Sequence, residues 1–512
     1  MKLGFHVFPR HTAKSLAGWI VVLLLVSLAA PPDCVNASDG SEGGSPPGGR
    51  GVAQPSSRIL TLRQCLEIAR ESNRARPASS FGVKIAEAQL RQALSSYWPQ
   101  LTARASVLRM DQDPNFVFPA STIAVPASTV VATTPLGPMP IDVPPQAIAV
   151  PEQDVKLMDR DSAVGSVDLV YPLYTGGFRS AVVRQAESGL AVARQEVRRT
   201  DLQVTHDVKR FYYGAVLARS LARVGADTVA RMEVTLELTE GLYKGASTRV
   251  KKTDYLRHKA VVEALRSTLA LLRGNERLTL AALTNALGLA WDTEIRVSDE
   301  EIPYRPYDAD LKTLVGDAYS FSPDWAKMEE AIKATAALVD EKKAGHLPQL
   351  ALLGNLRHLE NSYDKGLATP RNKDSWSIAV GLSLPLFNGL RTQAEVAEAK
   401  ARLERLEEQK TLLREGIALQ VKDVFIQLVR SQEQRRAMEA ALKAAEENRD
   451  LNERAYQEEL VETKDVIEAQ LVESFMKAAC ERTTYDHLEA QARLELVVGR
   501  EVEAVVRQGG KP

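Results

Sequence analysis

The chain has 512 residues, enough for two to four domains and a sizeable buried core. Its 65 Lys and Arg stand against 66 Asp and Glu, and a net charge of −1 removes the basic footprint of a nucleic-acid binder. Three cysteines (Cys34, Cys65, Cys480) exclude a disulfide-dense scaffold or a Cys-rich zinc module. At the N-terminus Lys2, Arg10 and Lys14 precede an apolar stretch from Leu16 to Ala30 and then small residues. That order predicts a secretory signal over residues 1–37, cleaved after Ala30 or Ala37. Cys34 follows Pro31, Pro32 and Asp33, a poor context for lipid attachment. Residues 38–57 are rich in Gly, Ser and Pro and read as a flexible linker. No later segment offers about 18 uninterrupted apolar residues, so no membrane-spanning helix is expected after cleavage.

Beyond the linker the chain repeats itself. Tyr171-Pro172-Leu173-Tyr174-Thr175-Gly176 returns as Leu384-Pro385-Leu386-Phe387-Asn388-Gly389 at an offset of 213. Tyr97 to Leu101 returns as His346 to Leu350 at an offset of 249. The surplus lies between Pro99 and Pro172, where nine of the 25 prolines crowd into residues 114–151. The reading is a duplicated unit: a first repeat over 58–290 and a second over 311–502. A connector at 291–310 joins them, and a tail follows at 503–512. In the first repeat, alternation of apolar with small or polar residues predicts strands at about 101–110 and 163–174, with a loop insertion at 111–161. In the second, the same period predicts strands at about 350–359 and 375–387. Runs near ten residues, ending in Tyr171, Tyr174, Trp376 and Phe387, have the length and aromatic ends of membrane-crossing strands. Four strands do not close a barrel, and open edges do not sit in lipid, so such strands require several chains.

The remainder reads as helix. Helical hairpins are expected over 178–289 and 389–500. Their proline-free first arms reach roughly 100 Å at 1.5 Å per residue. Ile417, Val421, Val424 and Leu428 step by four, three and four, as do Val204, Val208, Phe211 and Ala215, a coiled-coil-like seam. Shorter helices are expected at 62–73, 75–97, 308–321 and 323–346. Phosphate-loop, zinc-protease, nucleophile-elbow and dinucleotide motifs are all absent, so no enzyme activity and no cofactor are expected. The histidines read as structural or solvated; His206 and His258 fall on separate helices. Cys65 and Cys480 stand either as separate thiols or as a pair. One carboxylate pair is better placed than the rest: Asp465 and Glu468, at i and i+3, one turn past the tip of the second hairpin.

Export signal, tandem duplication, the two Pro- and Gly-containing strand ends, and the order of two strands, long helix, turn and helix together resemble the TolC-type outer membrane efflux factors. Leu60 to Ala69 is similar to that family's first helix. The resemblance spans roughly residues 58–502. It implies a mainly α fold with membrane β: four strands per chain in a trimeric 12-stranded β-barrel, continuous with a long periplasmic α-barrel. It further implies a homotrimer in outer-membrane lipid that docks a periplasmic adaptor and an inner-membrane pump, passing substrates outward passively. By resemblance, Asp465 and Glu468 line the periplasmic aperture and Tyr456 helps close it. Pro172, Gly176, Pro385 and Gly389 mark the strand–helix joints. The insertion would form a large outer loop. A basic latch residue of the family falls at Val461 here, and the first repeat has Lys251-Lys252-Thr253-Asp254 where no acidic pair stands. The competing reading, a soluble periplasmic coiled-coil adaptor, accounts for the helices but not for the strands.

Overall fold

The computed structural model describes residues 58–245, 250–308 and 310–501. The expected signal, the linker, Cys34, residues 246–249 of the first tip and the tail lie outside the described residues. The duplication is explicit in element lengths. Helices α1 (Leu62–Ser72) and α2 (Ala75–Ser95) have 11 and 21 residues, matched by α5 (Leu311–Phe321) and α6 (Pro323–Lys343). Helices α3 (Phe178–Lys244) and α4 (Lys252–Leu287) have 67 and 36 residues, as do α7 (Arg391–Gln457) and α8 (Thr463–Val498). The tip of the second hairpin is shorter by two residues, 458–462 against 245–251.

Each returning helix is about half the length of the first arm, so it meets the short helices midway along it. There the first core forms, with Cys65 and Ala69 of α1 against Val208, Tyr212 and Val216 of α3 and Leu283 and Leu287 of α4. A parallel pair of short strands, β1 (Arg58–Leu60) and β10 (Ile295–Val297), closes it. The second core repeats the plan with Leu314, Ala318, Leu494, Val498 and the four expected seam residues Ile417, Val421, Val424 and Leu428. In the first copy Val204, Val208 and Ala215 are buried as the spacing implies. Phe211 is only half-buried, and its neighbour Tyr212 is the fully enclosed ring, with its hydroxyl 3.2 Å from Ser298 Oγ.

Four strands form one antiparallel sheet in the order β12-β11-β9-β2: β2 (Gln100–Arg109), β9 (Asp161–Tyr174), β11 (Gln349–Asn361) and β12 (Asp374–Ser383). The register puts Leu101, Ala103 and Val107 on the face of Val167, Leu169, Leu352, Leu356, Trp376, Ile378 and Val380. This apolar face is open: Val107 is 86% exposed and Trp376 74%. The opposite face carries Thr102, Arg104, Ser106, Ser166, Asp168, Asn355, Arg357, Ser375 and Ser377. Both edges, β2 and β12, lack a partner strand among the described residues.

Strand β12 stops at Ser383 rather than at residue 387. Its one neighbour among the described residues, β11, begins at Gln349, directly opposite Ser383, so the pairing ends there and Leu384 to Phe387 lie beyond it. The insertion is not an irregular loop. It is one long β-ribbon built from β3 (Asn115–Phe118) on β8 (Gln153–Lys156), β4 (Ser121–Val125) on β7 (Gln146–Val150), and β5 (Ser128–Thr134) on β6 (Gly137–Val143). Prolines survive in it because of where they fall. Thr134 and Gly137 flank the two-residue turn, so the register alternates to leave Pro138 and Pro140 at non-hydrogen-bonded positions of the hairpin. Their missing N–H groups therefore face the free edge. The ribbon is tied to the second outer loop by Asn361, whose side chain accepts from Asp159 N–H (2.9 Å) and donates to the carbonyls of Asp159 and Asp161 (3.0 and 2.8 Å).

At the joints, Pro172 sits two residues inside β9 and pairs with Ala351, where the register to β11 shifts. A residue without an N–H fits such an irregularity. Gly176 (φ +61°) turns the chain into α3, and a Cβ there would lie 2.6 Å from Leu347 Cβ. Arg179, in the first turn of α3, donates to the carbonyls of Pro172 (2.8 Å) and Leu173 (3.1 Å) and lies over the Tyr97 ring, locking strand to helix. In the second copy Pro385 follows the end of β12, and Gly389 (φ +67°) leads into α7. Among the described residues no helix is long and apolar enough to cross a membrane.

Candidate functional site at the helical tips

The tips of the two hairpins carry opposite charge. In the first copy Lys244, Lys251, Lys252, Arg257 and Lys259 stand against Asp254; in the second Glu458, Glu459, Glu462, Asp465 and Glu468 stand against Lys464. A cleft of about 730 Å³ between them is lined by Asp254, Arg257, Tyr456, Glu459, Glu462 and Lys464, among others. Asp465 is half-exposed at the third position of α8, where Oδ2 accepts the Glu462 N–H at 3.1 Å. It caps the helix start, and a carboxylate there also favours the positive end of the helix dipole. Glu468 is exposed one turn on. The first copy uses Asp254 in the same capping role (Lys251 N–H to Oδ2, 3.0 Å), but Arg257 occupies the position of Glu468. The acidic pair thus belongs to the second hairpin alone.

Tyr456 is buried at the end of α7, 3% exposed. Its hydroxyl lies 2.8 Å from Thr239 Oγ1 on α3 and 3.1 Å from Thr463 Oγ1 on α8. Thr239 donates its own proton to the Thr235 carbonyl (2.7 Å), so Tyr456 donates to Thr239 and accepts from Thr463. His258 Nδ1, 3.2 Å from Thr239 Oγ1, then carries the proton in this network. Burial drives the His258 pKa down to about 4, which keeps the ring neutral.

Sequence reasoning missed the continuation of this network along the hairpin. Gln470 donates to Thr235 Oγ1 (3.1 Å) and to Glu453 (2.7 Å). One turn further, Glu473 is 1% exposed, with one carboxylate oxygen 2.7 Å from Arg231 of α3 and the other 3.1 Å from Arg449 of α7. Thr228 Oγ1 and Ser474 Oγ lie 2.7 Å apart. A polar seam therefore joins α8 and α7 to α3 over three turns, beside a small apolar cluster of Met232, Val262 and Ile467. The recurrence of Thr228, Arg231, Thr235 and Thr239 at steps of three and four was the available signal: a polar stripe at core spacing.

The remaining candidates do not converge. His206 contacts Asp207 and stays apart from the His258 network. Cys65 and Cys480 are separate thiols; burial, with the nearby Asp299 charge, pushes Cys65 up to about 12, so it is chemically quiet. Among the described residues no group of three or more His, Cys, Asp or Glu is placed to hold a metal ion.

Residues 314–500 match the family model for outer membrane efflux protein. Two curated relatives align over about half the chain: protein CyaE of Bordetella pertussis, 27% identical over 259 residues, and the alkaline protease secretion protein AprF of Pseudomonas aeruginosa, 26% over 261. Each alignment covers 48% of this chain and 51% of the relative, so the chain spans about half the length of the curated relatives it matches. Solved structures match throughout. A membrane protein from Pseudomonas aeruginosa superposes with a TM-score of 0.68 over 91% of this chain and 98% of its own, at 17% identity. The outer membrane protein VceC of Vibrio cholerae gives 0.66 over 86% and 96%, at 18% identity. The chain carries an outer membrane efflux protein domain on a TolC-type fold. Residues 314–500 carry that domain, and the fold is the one these outer membrane proteins share. On this fold the seam lies at the end of the helical hairpins far from the strands.

Proposed function

We propose that the chain is one third of a trimeric outer-membrane channel that passes substrates from periplasm to exterior when an adaptor and an inner-membrane pump dock at its periplasmic tip. The observation that carries this reading is the four-stranded sheet with both edges unpaired and one apolar face uncovered. Neither condition is tolerable in water or in lipid for a lone chain. Three copies joined edge to edge make twelve strands, satisfy every edge, and turn the apolar face to lipid and the polar face to a lumen. A soluble adaptor leaves both features unexplained. The relatives that include a protease secretion protein favour a role in secretion or efflux. Domain organisation follows the duplication: a first repeat over 58–290 and a second over 311–502 behind an exported leader.

At the periplasmic end the acidic tip of the second hairpin, with Asp465 and Glu468, rings the aperture. The seam from Tyr456 to Glu473 holds that hairpin against α3 in the closed state. A buried polar interface suits a gate because its groups regain hydrogen bonds to water when it parts, whereas an apolar one would expose greasy surface. Opening is the release of α7 and α8 from α3, driven by adaptor docking. The test is the detergent-purified protein in planar bilayers. A three-chain particle with low conductance that rises several-fold in Tyr456→Phe, and more in Tyr456→Phe with Glu473→Gln, supports the reading. A water-soluble monomer without channel activity overturns it.

A further inference from the structure

The polar face of the sheet holds three charged residues among its four strands: Arg104, Asp168 and Arg357. The register places two of them at one level. Arg104 of β2 pairs with Ser166 of β9, and Ser166 pairs with Arg357 of β11, so the guanidiniums project from the same height two strands apart. Asp168 stands one step along the face. Both its oxygens are engaged, one 2.5 Å from Arg104 Nη1 and the other accepting from Asn355 Nδ2 at 2.7 Å. Arg104 keeps most of its donors free, and its side chain is 70% exposed. Arg357 is exposed. Around them the strand residues of this face are Thr, Ser, Asn, Gln, Ala, Gly, Pro, Val and Leu, with no further carboxylate to neutralise them.

We infer that the barrel lumen carries a ring of six arginines, Arg104 and Arg357 from each of three chains, that binds carboxylate- or phosphate-bearing solutes in passage. The inference rests on the trimeric channel reading, which makes this face the lumen. Twelve strands about 4.8 Å apart and tilted about 40° close a ring about 24 Å across between backbones. The wall is then never more than about 12 Å from a passing solute, near the screening length of about 8 Å in physiological salt. Side chains reaching inward shorten that distance further. Arginine suits the task because its planar fork binds carboxylate and phosphate oxygens in pairs and never loses its charge. With three Asp168 carboxylates against six guanidiniums the ring keeps a net positive charge. The strand end of the tunnel is therefore basic, while the acidic pair sits at the other.

The test uses inositol hexakisphosphate as a polyanionic probe on the wild-type trimer in a planar bilayer, added on the strand side. Reversible block at micromolar to millimolar probe is expected, weakening as KCl rises. Arg357→Gln should raise the half-blocking concentration by about tenfold, the loss of a charge-assisted contact in each chain. Arg104→Gln with Arg357→Gln should abolish the block, and Arg357→Lys should keep most of it. A conducting wild-type trimer indifferent to the probe, or an Arg357→Gln trimer blocked like wild type, overturns the ring and leaves the channel standing. A wild-type chain that forms no channel overturns the channel reading and the ring with it.

Discussion

Glu473 illustrates how one side chain reports on a mechanism. A carboxylate at 1% exposure between two guanidiniums is held in place because removing either side leaves a charge unpaired. Both arginines are partly solvated, so the loss from Glu473→Gln falls below the 3–5 kcal/mol typical of a fully buried pair, at about 1–3 kcal/mol. The expected signature is faster hydrogen exchange in the first turns of α8 with unchanged exchange in the midway cores. His258 gives a second, pH-dependent handle. Its folded pKa of about 4 lies below the unfolded value of 6.5, so between those values the opened or unfolded state binds the extra proton. The contribution of a neutral His258 is intact above pH 6.5 and is lost progressively as pH falls toward 4. His258→Gln should flatten that part of the stability profile, measured as the difference from wild type by thermal unfolding at pH 7 and pH 5. Equal slopes in both proteins would remove His258 from the account. Tyr456 was named by the family resemblance alone, and the rest of this tip network is not legible from single residues. Tyr456, Gln470 and Glu473 fall on helices of high charge, where a polar residue at three- or four-residue spacing reads as the wet face. Burial is decided by α3, which lies more than 200 positions away in sequence. Asp465 shows the reverse: the pair was visible, but its capping bond gives that carboxylate a structural duty beside any role at an aperture.

At the scale of elements, the helices and the four sheet strands were readable because each expresses one period without interruption. The proline-free arms and the duplicated Pro- and Gly-containing strand ends located the joints, and Gly176 is at a turn where a Cβ would lie 2.6 Å from Leu347 Cβ. The insertion was not readable as strands, because a proline-rich stretch with few charges lacks clean alternation and its pairing register is set by the turn at its end. Its prolines blunt the free edge of the ribbon, which keeps so long and apolar a hairpin from recruiting other strands. The ribbon is anchored at its base, through Asn361 on Asp159 and Asp161 and through the Leu367 N–H on the Leu157 carbonyl (2.9 Å). Excising residues 121–150 and closing the chain with an Asn-Gly turn should therefore leave assembly and conductance unchanged. Loss of the trimer on size-exclusion chromatography in detergent would show that the ribbon takes part in association. Gly176→Ala, by contrast, forces a Cβ against Leu347 at positive φ and should lower the yield of assembled protein.

For the whole molecule the governing facts are the two open edges and the uncovered apolar face. Composition alone spoke of long helices; closure is a property of the sheet, and four strands per chain leave it to be completed by other copies. In the proposed trimer the same closure creates the lumen on which the arginine ring depends and brings three acidic tips together at the far end of the hairpins. The most direct test of the account is a cysteine scan between β2 and β12 in protein whose Cys34, Cys65 and Cys480 are replaced by alanine. Single cysteines along 100–109 are combined with single cysteines along 374–383 and oxidised in native membranes. The account predicts disulfide-linked dimers and trimers for pairs that share one antiparallel register, with no product when the register is shifted by a few residues. Monomers at every combination would contradict edge-to-edge closure and with it the channel.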